Sequence, residues 1–447
     1  MGILFRRNVV IRFAVALLLV SCASVQARPE INRGVHWVAA WSGSAQGPYP
    51  LGNPTAQPEL KFAFPDPGKG AVDQTFRMIV RPDIWGRQAQ IRLSNVFGSK
   101  PVTFDGVFVA LQSSGSAVLP GTSRPVVFGG KRTVTIAAGK DVISDAVALP
   151  FVRNADDHML VGRRLAISFH VVGESGPMTW HAKALATSYL SEPGAGARGD
   201  EDSELSFPHS TTSWYFLDAV HMTAAPGTRT IVAFGDSITD GTASTLNGDD
   251  RWPDVLSRRL HAAYGNRYSV VNAGIGGNRV AGPDDYGSKP IAGGPSARDR
   301  LERDVIGMPG LSSVIWLEGI NDFGAGTSAE TVIDAMREGV RRLRARIPGI
   351  RIYMATATSA LNSSIVSHGT PVVEAKRQAL NNFIRGAKIF DGIVDFDAMT
   401  VDTKTGELKA QFLPNSSTGG PGDKLHPNRA GYAAMGNGID LRWFAIR

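Results

Sequence analysis

The sequence predicts an α/β chain: a parallel sheet covered on both faces by helices, preceded by an antiparallel β-sandwich. Two observations carry this. From about residue 34 to 222, short apolar or alternating runs recur between turn residues, with no long helical pattern. After Pro226-Gly227, apolar runs of strand length alternate with stretches whose apolar residues repeat at helical spacing. That alternation implies parallel strands joined by crossover helices.

In the front part the expected strands fall near residues 76–80, 90–93, 102–111, 133–136, 146–151 and 165–172. Residues 43–58 and 193–208 read as long surface loops. In the second part the apolar runs are 230–234, 269–271, 314–317, 352–355 and 393–396. Between them, Leu256, Leu260 and Tyr264 follow a candidate cap at Asp250 and Pro253 near the first turn. Val332, Met336, Val340 and Leu343 mark a second helix, and Val373, Leu380, Phe383 and Ile384 a third. A last helix is expected from Pro427, with Tyr432, Met435 and Ile439 on its apolar face. Ligands in such sheets bind at the carboxyl ends of the strands, so the chemistry is expected just after each apolar run.

The N-terminus reads as an export signal. Arg6, Arg7 and Arg12 precede the apolar run 13–20, and Val25-Gln26-Ala27 offers small residues at cleavage spacing. Leu19-Val20-Ser21-Cys22 also resembles the bacterial lipobox, which would leave Cys22 lipidated at the mature N-terminus. Cleavage near Ala27 and lipid anchoring at Cys22 both stay open. Either way the chain is expected to be exported, periplasmic or extracellular, without a membrane span. Residues 1–27 are then the signal, 28–225 the sandwich unit and 226–447 the α/β unit.

Cys22 is the only cysteine, which leaves no internal disulfide and no thiol chemistry. The net charge of +7 includes the arginines of the signal, so the mature chain carries about +4. Nothing in that balance demands nucleic acid as a partner. The arginines at 337, 341, 342, 344 and 346 share their stretch with apolar residues at helical spacing, and read as a solvated helix face. His170 and His181 lack clustered acids or cysteines, so no metal site is expected there. Trp37, Trp41, Trp85, Trp180 and Trp214 are read as core or loop anchors, with a sugar-binding face as the rival reading.

Four blocks carry residue types with chemistry to offer. Ser237 sits in Gly235-Asp236-Ser237-Ile238-Thr239-Asp240, directly after an apolar run. A serine at such a turn exposes its oxygen at the sheet rim, and needs a base to become a nucleophile. Asp236 could orient it, although a capping role is the ordinary reading for both residues. Asn272-Ala273-Gly274-Ile275-Gly276-Gly277-Asn278 lets backbone N–H groups approach a ligand closely. Glu318-Gly319-Ile320-Asn321-Asp322 offers a side-chain amide, and one such donor to an oxyanion can be worth roughly 2.7–4 kcal/mol in a transition state. In Asp423-Lys424-Leu425-His426-Pro427-Asn428, the carboxylate stands three residues before the imidazole. That spacing lets it fix the ring's tautomer within one turn. Each block alone has an ordinary structural reading as a turn or cap.

All four occur in order, as GDSIT, NAGIGGN, GIND and DKLHPN. In this the sequence resembles the SGNH branch of the GDSL-type esterases and lipases, over about residues 229–445. The resemblance implies a flavodoxin-like, three-layer α/β/α SGNH-hydrolase domain. It implies Ser237 as nucleophile and Asp423 with His426 completing a triad. The N–H groups of Ser237 and Gly277 and the side chain of Asn321 would form the oxyanion hole. No metal or organic cofactor is implied. The substrates would be carboxylic esters: O-acetyl groups on carbohydrate, or short acyl, aryl or lipid esters as a lipase would take. A non-catalytic glycan-binding protein is the rival of another class. Two stretches depart from the compact family pattern, 279–309 and 400–422, and both are expected to shape the substrate cleft.

Overall fold

The strand Arg229–Gly235 (β1) is flanked by Tyr268–Gly274 (β2) on one side and Leu311–Leu317 (β3) on the other. Arg351–Ala355 (β4) and Gly392–Val394 (β5) extend the sheet, giving the order β2-β1-β3-β4-β5 with every pair parallel. These observations come from a computed structural model, which describes residues 1–2 and 35–445. The expected export signal, with Cys22 and the cleavage site at Ala27, lies outside the described residues. Among the described residues no helix is long and apolar enough to cross a membrane.

The strands are near-continuous apolar runs because both of their faces are covered: Ile231, Val232, Val314, Ile315, Ile352 and Met354 are all inaccessible to solvent. The helices form two touching groups. Trp252–Tyr264 (α2) packs with Phe396–Thr400 (α7) and Arg429–Gly438 (α8) through contacts to α8. The second group comprises Ala297–Leu301 (α3), Ile320–Gly324 (α4), Ala329–Arg346 (α5) and Pro371–Gly386 (α6). The strand order reverses direction at β1, which places the crevice for a ligand at the carboxyl ends of β1, β2 and β3.

Several boundaries differ from the sequence reading, three of them through a local hydrogen bond. The cap of α2 is Arg251 rather than Asp250. Asp254 takes the Arg251 N–H at 3.1 Å and its guanidinium at 2.7 Å, while Asp250 accepts from the N–H of Thr245. The last helix starts at Arg429 rather than Pro427, because the Asn428 side chain accepts the N–H groups of Ala430 and Gly431. The run 393–396 splits: β5 ends at Val394, Asp395 caps the N–H of Ala398, and Phe396 opens α7. The run 146–151 pairs only at Val147–Ala148.

The front region consists of antiparallel sheets. One contains Trp37–Ser42, Leu217–Thr223 and Gln88–Asn95; a second contains Val72–Val80, Leu165–Glu174 and Val102–Ser114. A small third sheet joins Gly47–Pro48, Thr179–His181 and Trp214–Tyr215. Their apolar side chains meet in one cluster that includes Phe76, Ile91, Phe104, Phe169, Val220 and Tyr215. Trp41, Trp85, Trp180 and Trp214 are buried in this cluster, so they present no sugar-binding face. Residues 43–47 are also buried, which corrects their reading as surface loop. Gln46 is fully inaccessible because it hydrogen-bonds Ala182 N–H and the carbonyl of Ala292.

The two regions are sewn together along β2. Ser42 donates to the carbonyl of Asn272 at 2.8 Å, and Ser269 donates to that of Ala39 at 2.6 Å. From His36 onward the chain forms a single compact unit.

The stretch 279–309 holds regular structure. It contains α3 and, directly after it, a turn of π-helix at Glu302–Ile306. It also delivers the fully buried side chain of Arg300 to the rim of the sheet. The guanidinium donates to the carbonyl of Gly235 at the end of β1 and to that of Ala273 at the end of β2, each at 2.7 Å. It donates as well to the Asn278 side chain at 2.7 Å, and pairs with Asp304 at 3.1 Å. Arg300→Met strips these buried acceptors of their donor. Urea melts are expected to show a loss of about 3–5 kcal/mol in folding stability.

Candidate active site

β1 ends at Gly235, and a single helical turn, Ser237–Asp240 (α1), begins two residues later. Asp236 caps that turn by accepting the N–H of Ile238 at 2.9 Å, and Gly241 closes it in a left-handed conformation. The turn packs so closely on β2 that a Cβ at Gly274 would lie 2.2 Å from the Asp240 nitrogen, so only glycine fits there. Ser237 is held at the sheet rim with its side chain nearly buried, and its Oγ lies 2.8 Å from Nε2 of His426.

His426 is oriented from its own turn. Nδ1 lies 2.6 Å from Oδ2 of Asp423, while Oδ1 of that carboxylate accepts the N–H groups of Leu425 and His426, each at 2.9 Å. Lys424 takes a left-handed backbone conformation, φ 59°, which folds the chain tightly enough for both contacts. With Nδ1–H donating to the carboxylate, Nε2 is the acceptor that faces the serine hydroxyl. Burial pushes the Asp423 carboxyl up, but the hydrogen bond and charge of His426 and the two N–H groups outweigh it. The net result is a pKa well below the usual carboxylate range.

The glycine loop lies beside this line. Gly277 has φ +84°, and no protein partner within the described residues takes its backbone N–H or that of Ser237. Asn321, the second residue of α4, donates through Nδ2 to the carbonyl of Asn278, the residue after Gly277, at 2.9 Å. Asn278 is itself fixed: its amide donates to the carbonyls of Gly293 and Pro295 and accepts from Arg300. The structure therefore joins Ser237, His426 and Asp423 in one hydrogen-bonded line. It ties Asn321 to the glycine loop, and sets both at the same rim.

Two contributors carry no sequence motif. His368, in the loop before α6, has Nε2 3.0 Å from Oδ1 of Asn321. Because Nδ2 of Asn321 faces a carbonyl, its oxygen must face His368, whose Nε2 therefore carries the hydrogen. The His368 ring packs against α4, where a Cβ at Gly324 would lie 2.8 Å from it. Burial and the nearby His426 and Arg279 push its pKa down. The second is His181, set aside in the sequence reading, whose Nε2 lies 3.1 Å from Oδ1 of Asp240 in α1.

Besides Asp304, three further acids are buried near the rim. Burial pushes Asp236 up to about 7, Glu318 up to about 8 and Asp322 up to about 6, against the pull of Arg300 on the first two and of two backbone N–H groups on Asp322. Asp236 is a cap, as the ordinary reading had it, and makes no hydrogen bond to the serine hydroxyl.

A hydroxyl, an imidazole and a carboxylate in one hydrogen-bonded line, at the rim of a parallel α/β sheet, are the equipment of acyl transfer through a serine. Residues 233–434 match the family model described as GDSL-like Lipase/Acylhydrolase family. This part of the chain belongs to that family, and the protein is a carboxylic ester hydrolase. Among solved structures, it is similar to a carbohydrate acetylesterase family member from Sinorhizobium meliloti. The identity there is 18%, over 48% of this chain and 96% of that one, with a TM-score of 0.36. It is similar also to the M. smegmatis aryl esterase, at 17% identity over 47% of this chain and 95% of that one, with a TM-score of 0.34. No curated protein matches the sequence.

Two outcomes follow from this geometry. A carboxyl with a depressed folded pKa adds stability that is present above its unfolded value, and loses it as the pH falls through the lower folded one. Asp423→Asn is therefore expected to unfold at lower urea than wild type at neutral pH, with the gap narrowing only below about pH 4. For His368, replacement by Leu removes the donor that orients Asn321, and ester hydrolysis should lose about tenfold in kcat with KM little changed. His368→Gln keeps an N–H in reach and should recover most of that loss in the same steady-state assay.

Proposed function

We propose that this protein is an exported serine esterase that acts through an acyl-enzyme. The reading rests on one observation, the line from Ser237 Oγ to His426 Nε2 at 2.8 Å and from His426 Nδ1 to Asp423 at 2.6 Å. Ser237 attacks the ester carbonyl carbon while His426 takes its proton. The resulting oxyanion rests on the N–H groups of Ser237 and Gly277 and on the amide of Asn321. His426 then returns the proton to the departing alkoxide. In the second half a water, deprotonated by His426, attacks the acyl-serine and releases the carboxylic acid.

Three segments crowd this site: Asn53 lies against Gly276, Gly293 against Gly277, and His368 against Asn321. Such close walls fit a small acyl group better than a long chain. We therefore place short acyl esters, among them O-acetyl groups on carbohydrate and aryl acetates, ahead of long-chain lipid esters. The buried tryptophans give carbohydrate no added support. The front region is taken as a β-sandwich, and the α/β part as a flavodoxin-like three-layer domain. Export follows from residues 1–27, with lipid anchoring at Cys22 as the alternative to cleavage near Ala27.

Wild type is expected to hydrolyse p-nitrophenyl acetate, with rates declining as the acyl chain lengthens. Ser237→Ala should lose about 10⁴-fold or more in kcat. Equal rates in the two proteins would overturn this reading.

A further inference from the structure

We infer that the front region is part of the catalytic machinery: His181 is a positioning residue that holds the glycine loop at Gly276 and Gly277 through Asp240. This rests on the reading of Gly277 as an oxyanion donor.

His181 ends the front strand Thr179–His181 and is buried, as is Asp240 in the same turn as Ser237. Every group facing the ring nitrogens is an acceptor. Nδ1 lies 2.8 Å from the carbonyl of Ser44, and Nε2 lies 3.1 Å from both the carbonyl of Lys183 and Oδ1 of Asp240. Both nitrogens therefore carry hydrogen, and the ring is an imidazolium paired with a carboxylate. Burial pulls its pKa down, but the charge and hydrogen bond of Asp240 and the two carbonyls leave it raised overall.

The other oxygen of Asp240 accepts the N–H of Gly276 at 2.8 Å. One carboxylate thus fixes the glycine loop against the turn that carries the nucleophile. A carboxylate buried to this degree is stable only with a cation beside it, and His181 supplies that charge. Lys183, also buried and from the same front segment, donates to Thr242 Oγ1 at 2.6 Å, directly after the turn.

Other residues of the front region pack against the same loop. A Cβ at Gly276 would lie 2.7 Å from Oδ1 of Asn53, and that buried oxygen has no protein partner among the described residues. Gln46 bridges Ala182 N–H to the carbonyl of Ala292, one residue before Gly293, which in turn packs on Gly277. Without the His181 pair, the loop N–H would drift from where the oxyanion forms, a fault felt in the transition state more than in substrate binding.

The test uses the full chain with His181→Leu and His181→Gln. With p-nitrophenyl acetate, the Leu variant is expected to lose about 10²-fold in kcat with KM little changed, because small misplacements cost that much. Affinity for a boronic acid that adds to Ser237 should fall in parallel. The Gln variant keeps one neutral donor and should lose less. Amide hydrogen exchange in residues 274–278 should quicken in both, while Ser237→Ala should leave that exchange unchanged. Should the Leu variant not fold, the Gln variant is read alone. A folded variant with wild-type kcat and wild-type exchange overturns the inference. Activity that survives Ser237→Ala instead overturns the esterase reading, and the exchange result still decides whether His181 holds the loop.

Discussion

The guanidinium of Arg300 is the constraint on which the rest of the site depends. It reaches the last carbonyl of β1, the next-to-last of β2 and the side chain of Asn278, so it sets the spacing between the serine turn, the glycine loop and the residue that Asn321 grips. Strand ends are where a sheet frays, because their carbonyls lose ladder partners. Here one planar, permanently charged fork satisfies those carbonyls together, a task its rigid donor geometry suits better than a lysine would. It also sits over the ring of Phe234, 4.1 Å from the centroid, so its position is fixed from the core side as well.

That cation explains the company it keeps. Asp304 is drawn below its ordinary pKa by Arg303 and Arg300 despite its burial. Glu318 and Asp236, farther from full compensation, are pushed upward instead. Glu318 spends one oxygen on the Trp316 indole at 2.7 Å, and its other oxygen stands 3.8 Å from Arg300. Burial pushes the Glu318 carboxyl up to about 8, against the pull of Arg300, which favours its neutral form. One negative charge stands at Asp423, beside the imidazole that must become positive during turnover.

Much of this was legible in the sequence because it is local. The turn after β1, the left-handed glycine and the short step from Asp423 to His426 each have a signature within a few residues. The alternation of apolar runs and helical spacings located the parallel strands, with errors only where a side chain such as Asn428 or Arg251 moved a cap. What stayed hidden depends on contacts between distant residues. Nothing around Arg300, His368 or His181 announces a partner in the chain, since each acts on a group 47 to 65 residues away. The stretch 279–309 shows no long helical pattern because its helix is short, and its key residue is a buried arginine, a type that composition assigns to the surface.

The sewing of Trp37–Ser42 to β2 has a consequence for how such a chain can change over generations. β2 is an edge of the parallel sheet, and edges left bare invite pairing with other chains. The front strand covers that margin, so Pro226-Gly227 marks a change in chain pattern but not a hinge between interchangeable parts. A lineage that discarded or swapped the front half would bare the margin and strip the serine turn of its counter-charge in one event. The two halves are therefore bound to be inherited as one piece, and variety in what the enzyme accepts has to enter through the surrounding loops.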